Sequence, residues 1–175
     1  GNIVGNGIAA FISTLDTYAK WLVPLLVGIF TPWMVMTGTH YGLVPIGINN
    51  VATAGFDTIV GPGMLGSNIA QGGAAFAVYF RTKNSTMKQL ALSSGITAVC
   101  GITEPALYGV NLKLKRPLIA SMIGGGVSGL FLGIFGVGRY TTGSPGLLAL
   151  PGYIGPDGFT NLIYAIIGSA IAFAV

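Results

Sequence analysis

Apolar residues in this chain come in long blocks, and the charges that separate the blocks are few. Trp21 to Thr39 is an uncharged run of 19 residues, Pro117 to Gly138 one of 22, and Gly158 to Val175 one of 18. About 20 apolar residues in a helix cross about 30 Å of hydrocarbon. The pattern therefore predicts two full membrane spans and a third, truncated one, with Lys20 and Trp21 as interfacial anchors of the first. Thr58 to Phe80 is long enough to cross, but Gly61-Pro62-Gly63 and Gly72-Gly73 predict an interrupted segment. Gly1 to Leu15 is too short and too rich in glycine to assign.

One stretch is too short to cross. Gln89 to Thr103 holds 15 uncharged residues, about 22 Å as a helix at 1.5 Å per residue. Glu104-Pro105 follows at once, and a residue before proline is pushed out of the α region. The flanks of this stretch carry Arg81/Lys83/Lys88 and Lys113/Lys115/Arg116, six of the eight basic residues of a chain with net charge +4. Short basic loops beside apolar spans mark the cytoplasmic side, with anionic lipid a further contact. With both clusters on one side, Gln89 to Leu112 enters and leaves by the same face, as a re-entrant hairpin broken around Thr103-Glu104-Pro105. Broken backbone at membrane depth is tolerated only where it is buried in protein or lines a cavity. The hairpin thus predicts a cavity.

Composition agrees. Only 7% of the residues are charged, 52% are hydrophobic and 29 are glycine, against about 25% charged in soluble domains. The mean hydropathy is +0.77. These values exclude an ordinary soluble enzyme, a nucleic-acid binder and a disordered tail, and the glycines lack the three-residue period of collagen. The expected class is an all-α polytopic membrane protein with re-entrant helical hairpins, residues 1–175 forming a single domain. No signal peptide is visible, and the abrupt ends point to a piece of a longer protein. Cys100, the lone cysteine, reads as an inert residue in an apolar run.

Glu104 is the only glutamate, lies at the expected break, and has no charged neighbour within eight positions. An ionisable group in a membrane segment is a functional candidate by default; the alternative is a carboxylate capping a helix end. His40, the only histidine, closes the first span, and a lone histidine is as consistent with a core residue as with a ligand. No second His or Cys stands at metal-ligand spacing, so no metal site is expected. Asn49, Asn50, Asn68, Gln71 and Asn111 are amides in apolar surroundings, and Trp33, Tyr41 and Tyr108 are aromatics near the two ionisable residues in sequence. Amides both donate and accept, a carboxylate makes charge-assisted bonds to hydroxyls, and flat rings suit the faces of a sugar. Such a set fits a neutral polyhydroxylated ligand; amides gluing helices together are the plainer alternative.

Two look-alikes are discounted. Gly126-Val127-Ser128-Gly129 matches the G-x-S-G of intramembrane serine proteases, but the only histidine precedes the serine, whereas that family's follows it. Gly125, Gly129 and Gly133 recur every four residues, the small-residue face on which helices approach closely. Gly5-Asn6-Gly7-Ile8-Ala9-Ala10 mimics a dinucleotide fingerprint without its strand, helix or ribose-binding acid.

The run Gly101-Ile102-Thr103-Glu104-Pro105-Ala106-Leu107-Tyr108-Gly109-Val110 resembles the G-I-T-E-P motif of enzyme IIC, the membrane subunit of bacterial sugar phosphotransferase systems, in the β-glucoside/sucrose/trehalose branch of the glucose superfamily. His40-Tyr41-Gly42-Leu43-Val44-Pro45-Ile46 with Asn49-Asn50, then Gly55-Phe56-Asp57, and Gly72-Gly73-Ala74-Ala75-Phe76 leading into Arg81-Thr82-Lys83, agree in order and spacing. The resemblance implies a multi-pass permease of the bacterial cell membrane whose second half, matched by this chain, holds the sugar, while its first half forms a homodimer interface. It assigns Glu104 and His40 to the sugar, with the backbone at Ile102 and Thr103 contributing, and places Asn50 and Asp57 at motif positions. It further implies IIA and IIB domains as partners, the phosphoryl-carrying cysteine belonging to IIB. Cys100 does not match that cysteine, so no residue here is expected to carry phosphate, and no cofactor is implied.

The expected action is binding of a glucosyl sugar at mid-membrane and its delivery by alternating access for phosphorylation by IIB. The competing reading is a proton- or sodium-coupled transporter with Glu104 as the coupling residue. A protease reading would require Ser128. Ser128→Ala is expected to leave sugar transport intact, measured as uptake by cells carrying the variant permease; loss of transport with the fold preserved would reopen the serine's role.

Overall fold

The computed structural model describes residues 7, 14, 19–156 and 158–175. The Gly-rich start, with its fingerprint-like run, lies almost wholly outside the described residues, as does Asp157. Every regular element among the described residues is helical. In chain order they are α1 (Leu22–Met36), a 3-10 turn (Thr39–Gly42), α2 (Val44–Ala54), α3 (Val60–Arg81) and α4 (Ser85–Val99). There follow a helical run, α5 (104–114), then α6 (Arg116–Ile134), a 3-10 segment (Leu147–Tyr153) and α7 (Thr160–Ala174). Isolated β-bridges join Asp57 to Arg139 and Gly155 to Gly158.

The three long uncharged runs form α1, α6 and α7, each shorter than its run. Of these, α6 alone is long and apolar enough to cross a bilayer by itself, while α1 and α7, at 15 residues each, fall short of that length.

The interruption expected between Thr58 and Phe80 does not occur. Instead, α3 is one unbroken helix of 22 residues, and everything from Val60 to Gly72 is buried. Pro62 sits in the first turn, where a missing N–H removes no intrahelical bond. The glycines are contact points rather than breaks. A methyl on Gly72 would lie 2.5 Å from Cγ2 of Val99, and one on Gly73 would lie 2.5 Å from the carbonyl of Phe173. Glycine inside a helix costs about 1 kcal/mol relative to alanine, and close packing of α4 and α7 offsets it. A helix apolar on all sides belongs at the centre of a bundle. There α3 is packed by α6, α4, α1 and α7.

The four-residue glycine ladder of α6 faces α1. A methyl on Gly125 would strike the carbonyl of Gly28, one on Gly129 the carbonyl of Pro24, and one on Gly133 would lie 2.6 Å from the carbonyl of Trp21. Ser128 is fully buried and donates to the carbonyl of Gly168 at 2.8 Å. It is a helix-packing residue on the side facing α7.

Helix α4 and the run α5 form a helical hairpin. Ala91 and Ala98 of α4 meet Ala106 and Val110 of α5 and Ala75 of α3, all sealed from solvent. Asn84 caps α4, its Oδ1 accepting from the N–H of Met87 at 2.9 Å. The run α5 is not uniform: an α turn (Glu104–Ala106) passes into a π turn (Leu107–Asn111) and back to an α turn (Leu112–Leu114). Asn111 at the π turn donates to the carbonyl of Gln71 at 3.1 Å and so fastens the hairpin to α3. Arg81 and Arg116 line one groove, together with Met87 and Leu114, so the two basic clusters meet at one end of the fold.

Gly28→Ala is expected to lower stability by about 1–3 kcal/mol, the cost of overpacking a close contact, because the new methyl meets backbone that cannot rotate away. Ile123→Ala, on the outward face of α6, should shift it by no more than about 0.5 kcal/mol. Thermal unfolding of the detergent-solubilised proteins measures both.

Candidate functional site

The hairpin breaks because of its sequence. Gly101 adopts φ +110°, which glycine enters without a side-chain clash. Its N–H bonds to the carbonyl of Ala98 at 2.9 Å, and the N–H of Ile102 to that of Thr97 at 2.9 Å. This double bond pattern around a left-handed glycine is a Schellman helix stop. Coiling resumes at Glu104, with Pro105 in the first turn.

A loop from the other side of the fold covers the break. Ser144 Oγ donates to the carbonyl of Gly101 at 2.9 Å, and Asn68 of α3 donates to the carbonyl of Pro145 at 2.7 Å. Between the break, this loop, α3 and the 3-10 turn lies a cavity of about 470 Å³, within the range of small-molecule sites. Its walls include Glu104 and Thr103 from the break, His40 and Tyr41 from the turn, Asn68 from α3, and Arg139 with residues 142–145 from the loop. The carboxylate of Glu104 makes no hydrogen bond or ion pair among the described residues and is accessible from the cavity. The His40 ring lies 4.1 Å from that of Tyr41, and its Nδ1 is buried without a partner. Nε2 is therefore the ring nitrogen left to reach a ligand.

Of the six residues singled out in the sequence, Glu104, His40 and Thr103 line this cavity. Asn50, Asp57 and Ile102 do not. Ile102 is exposed and lines a neighbouring groove with Cys100 and Leu148. Asp57 is fully buried and holds the start of α3. Its Oδ1 accepts from Asn50 Nδ2 at 3.0 Å and from the N–H groups of Ile59 and Val60 at 3.1 and 3.2 Å, and its Oδ2 from that of Gly61 at 2.6 Å. A carboxylate at a helix N-terminus satisfies donors that no carbonyl reaches and meets the positive end of the helix dipole. Among the aromatics only Tyr41 lines the cavity. Trp33 donates to the Met122 sulfur at 3.2 Å, and the Tyr108 hydroxyl reaches the carbonyl of Val35 at 3.4 Å.

The Phosphotransferase system, EIIC family model matches residues 1–125. The chain belongs to the phosphotransferase system EIIC family. Over 175 residues, 99% of this EIIC chain, it is 44% identical to the β-glucoside-specific EIIBCA component of Bacillus subtilis and covers 28% of that protein. It is 36% identical to the arbutin-, cellobiose- and salicin-specific EIIBC component of Escherichia coli, with 97% of the chain and 35% of the relative covered. Identity to the sucrose-specific EIIBC component of Klebsiella pneumoniae is 39%, over 99% of the chain and 37% of the relative. The EIIC chain thus spans roughly a third of the length of these relatives. No solved structure matches it.

The charged residue on the loop wall escaped the sequence reading. Arg139 belongs to neither basic cluster and follows directly on an apolar span; that isolation was the available signal. It is 6% exposed, and its backbone pairs with that of Asp57 through two hydrogen bonds of 2.8 Å. Nearby, Tyr153 is fully buried with its hydroxyl unpartnered. Burial pushes that phenol well above its ordinary range, opposed in part by the positive charge of Arg139.

Removing the Asp57 carboxylate strands several buried donors at once. Asp57→Ala is expected to cost about 2 kcal/mol or more and Asn50→Ala, which removes one of the four bonds, about 1 kcal/mol. Unfolding midpoints of the two variants should fall in that order.

Proposed function

We propose that this chain is the sugar-binding half of a phosphotransferase permease, and that the cavity at the hairpin break holds a glucosyl sugar. The observation that carries the proposal is Glu104: a carboxylate with no partner of its own, opening on a cavity shared with His40, in a chain with almost no charge. Within the EIIC family the relatives named above act on β-glucosides and sucrose. A sugar of that class supplies what the site lacks, namely hydroxyl protons for Glu104 to accept and hydroxyl groups for His40 Nε2 to meet. Tyr41 offers a flat face to the ring. Thr103 and the backbone at Ile102 shape the wall at the break, and Asn50 and Asp57 act behind it by fixing the start of α3.

In this reading α4 and α5 are the arms of a re-entrant hairpin in a multi-pass membrane protein. Two features support it: the arms, at about 22 and 16 Å, are too short to cross singly, and their basic ends share one groove. The hairpin carries the site between the two faces of the membrane as a rigid body. On the cytoplasmic face a IIB domain phosphorylates one sugar hydroxyl. The phosphorylated sugar is anionic, so the Glu104 carboxylate that held the neutral hydroxyl repels it, and release is directional. The first half of the permease supplies a homodimer interface, and lipid surrounds the apolar faces.

Losing one hydrogen bond to a charged group costs about 1.5–3 kcal/mol. Glu104→Gln in the full-length permease is therefore expected to weaken sugar binding by roughly ten- to a hundred-fold at 1.4 kcal/mol per decade, read by calorimetry with a panel of β-glucosides, sucrose and trehalose. Unchanged affinity would remove Glu104 from the site and, with it, the observation that carries the sugar-site reading. Sugar uptake driven by an ion gradient, without a phosphoryl donor, would replace the phosphotransferase reading with ion coupling.

A further inference from the structure

Arg139 is buried on the wall of the same cavity with most of its hydrogen-bonding capacity unused. A guanidinium carries five N–H donors and no acceptor. Here Nη1 donates to the carbonyl of Gly143 at 3.1 Å, and no other group among the described residues accepts from the side chain. Nε is buried without a partner. Unpaired donors on a buried charge are expensive; Nε packs against Gly61, so the donors left for an acceptor that arrives from the cavity are those of the Nη atoms.

Asp57 is not that acceptor. Its two carboxylate oxygens already take four N–H groups, and no ion pair joins it to Arg139. What Asp57 contributes is placement. The antiparallel bridge between the two backbones sets Arg139 beside the first turn of α3. Gly61 leaves the side chain its room there: a methyl on Gly61 would lie 3.0 Å from Nε and 3.1 Å from Cβ and Cδ of Arg139. From the other side Asn161 of α7 clamps the neighbouring residue, accepting from the N–H of Gly138 at 2.9 Å and donating to its carbonyl at 2.7 Å. The backbone at Arg139 is therefore held on both flanks while most of the guanidinium's donors stay unpaired, the arrangement of a preorganised ligand contact rather than of a structural ion pair.

We infer that Arg139 is a second charged contact to the sugar, donating to hydroxyl oxygens on the wall formed by the 139–145 loop while Glu104 accepts hydroxyl protons at the hairpin break. The inference rests on the sugar-binding reading above and assigns a residue that reading did not contain. A hydroxyl group both donates and accepts. A carboxylate can use only its proton and a guanidinium only its lone pairs, so the two residues together fix which way a sugar faces. A hydroxyl-bearing ring bridging Glu104 and Arg139 is selected by the positions of its hydroxyls, as neither contact alone would do.

The test is a cycle of protein and ligand changes in the full-length permease. Wild type, Arg139→Met, Arg139→Lys and Glu104→Gln are titrated calorimetrically with the tightest-binding glucoside of the panel and with its monodeoxy analogues. Arg139→Met is expected to weaken binding of the parent sugar by about ten-fold or more. It should also abolish the penalty that wild type shows for one particular deoxy position, since the hydroxyl removed there has already lost its donor. Arg139→Lys keeps the charge without the planar fork, and should show a reduced penalty at the same position.

A purely structural Arg139 would lower affinity for every analogue by the same factor. Deoxy penalties that persist unchanged in Arg139→Met and Arg139→Lys overturn the inference. If Arg139→Met does not fold, as judged by its unfolding transition, the lysine cycle decides alone. Wild-type affinity in Glu104→Gln would bring down the sugar-site reading itself, whereas weakened binding there with intact deoxy penalties in the arginine variants removes Arg139 only.

Discussion

A helix that stops must hand its loose backbone groups to something, and the region around the cavity is organised by that demand. Water satisfies such groups at an ordinary surface. Here the Schellman stop at Gly101 takes up two N–H groups, and Ser144 supplies the carbonyl of Gly101 with a donor. The N–H of Leu107 closes on the carbonyl of Thr103 at 2.8 Å. The loop that brings Ser144 is in turn held by Asn68, by Asn161 and by the Asp57 bridge. Satisfying the break thus draws together residues from α3, α7 and the loop after α6. A cavity is what remains between elements that meet for their backbone and not for their side chains.

Close packing elsewhere makes the arrangement specific. Glycine lets α6 lie on α1 with backbone touching backbone, and lets α4 and α7 press on α3. In a chain whose helices are apolar on most faces, hydrophobicity alone would not decide which faces meet, since most would serve. Shape decides instead: the bare side of α6 fits α1 and no bulkier neighbour. The buried amides do the same by chemistry, since Asn111 has one carbonyl within reach and Asn68 another.

Much of this was legible in the sequence, where one residue type carried one meaning. The three long uncharged runs, the shared side of the basic clusters and the packing role of the glycine ladder all follow from local rules; the break, expected around Thr103-Glu104-Pro105, falls just before it at Gly101, with Glu104 already helical. The reading failed where one residue type has two meanings. Gly61-Pro62-Gly63 and Gly72-Gly73 look like breakers, but a proline in a first turn and glycines at contacts leave α3 intact. Asp57 and Asn50 stood beside Glu104 and His40 by motif position, and a shared motif does not separate a helix cap from a cavity wall. Arg139 was missed for a different reason: its isolation from both basic clusters marked it, but its partner in the backbone bridge lies 82 positions earlier and no local pattern predicts such a pairing.

The continuity of α3 has a mechanical consequence. Twenty-two residues make a rod of about 33 Å, with the Asp57 cap and the Arg139 bridge at one tip and Arg81 beside the basic groove at the other. Sharp bends in a helix come at a proline, a Gly/Ser pair, a bulge or an inserted group; past its first turn α3 has Gly66-Ser67 and Gly72-Gly73, and close packing on Ser128, Val99 and Phe173 holds both in an unbroken helix. Displacement at the cavity tip therefore arrives at the basic tip undiminished, as along a lever, and flexure is left to the joints at 55–59 and 82–84. The distance between the cavity and the basic groove is spanned by a single stiff part.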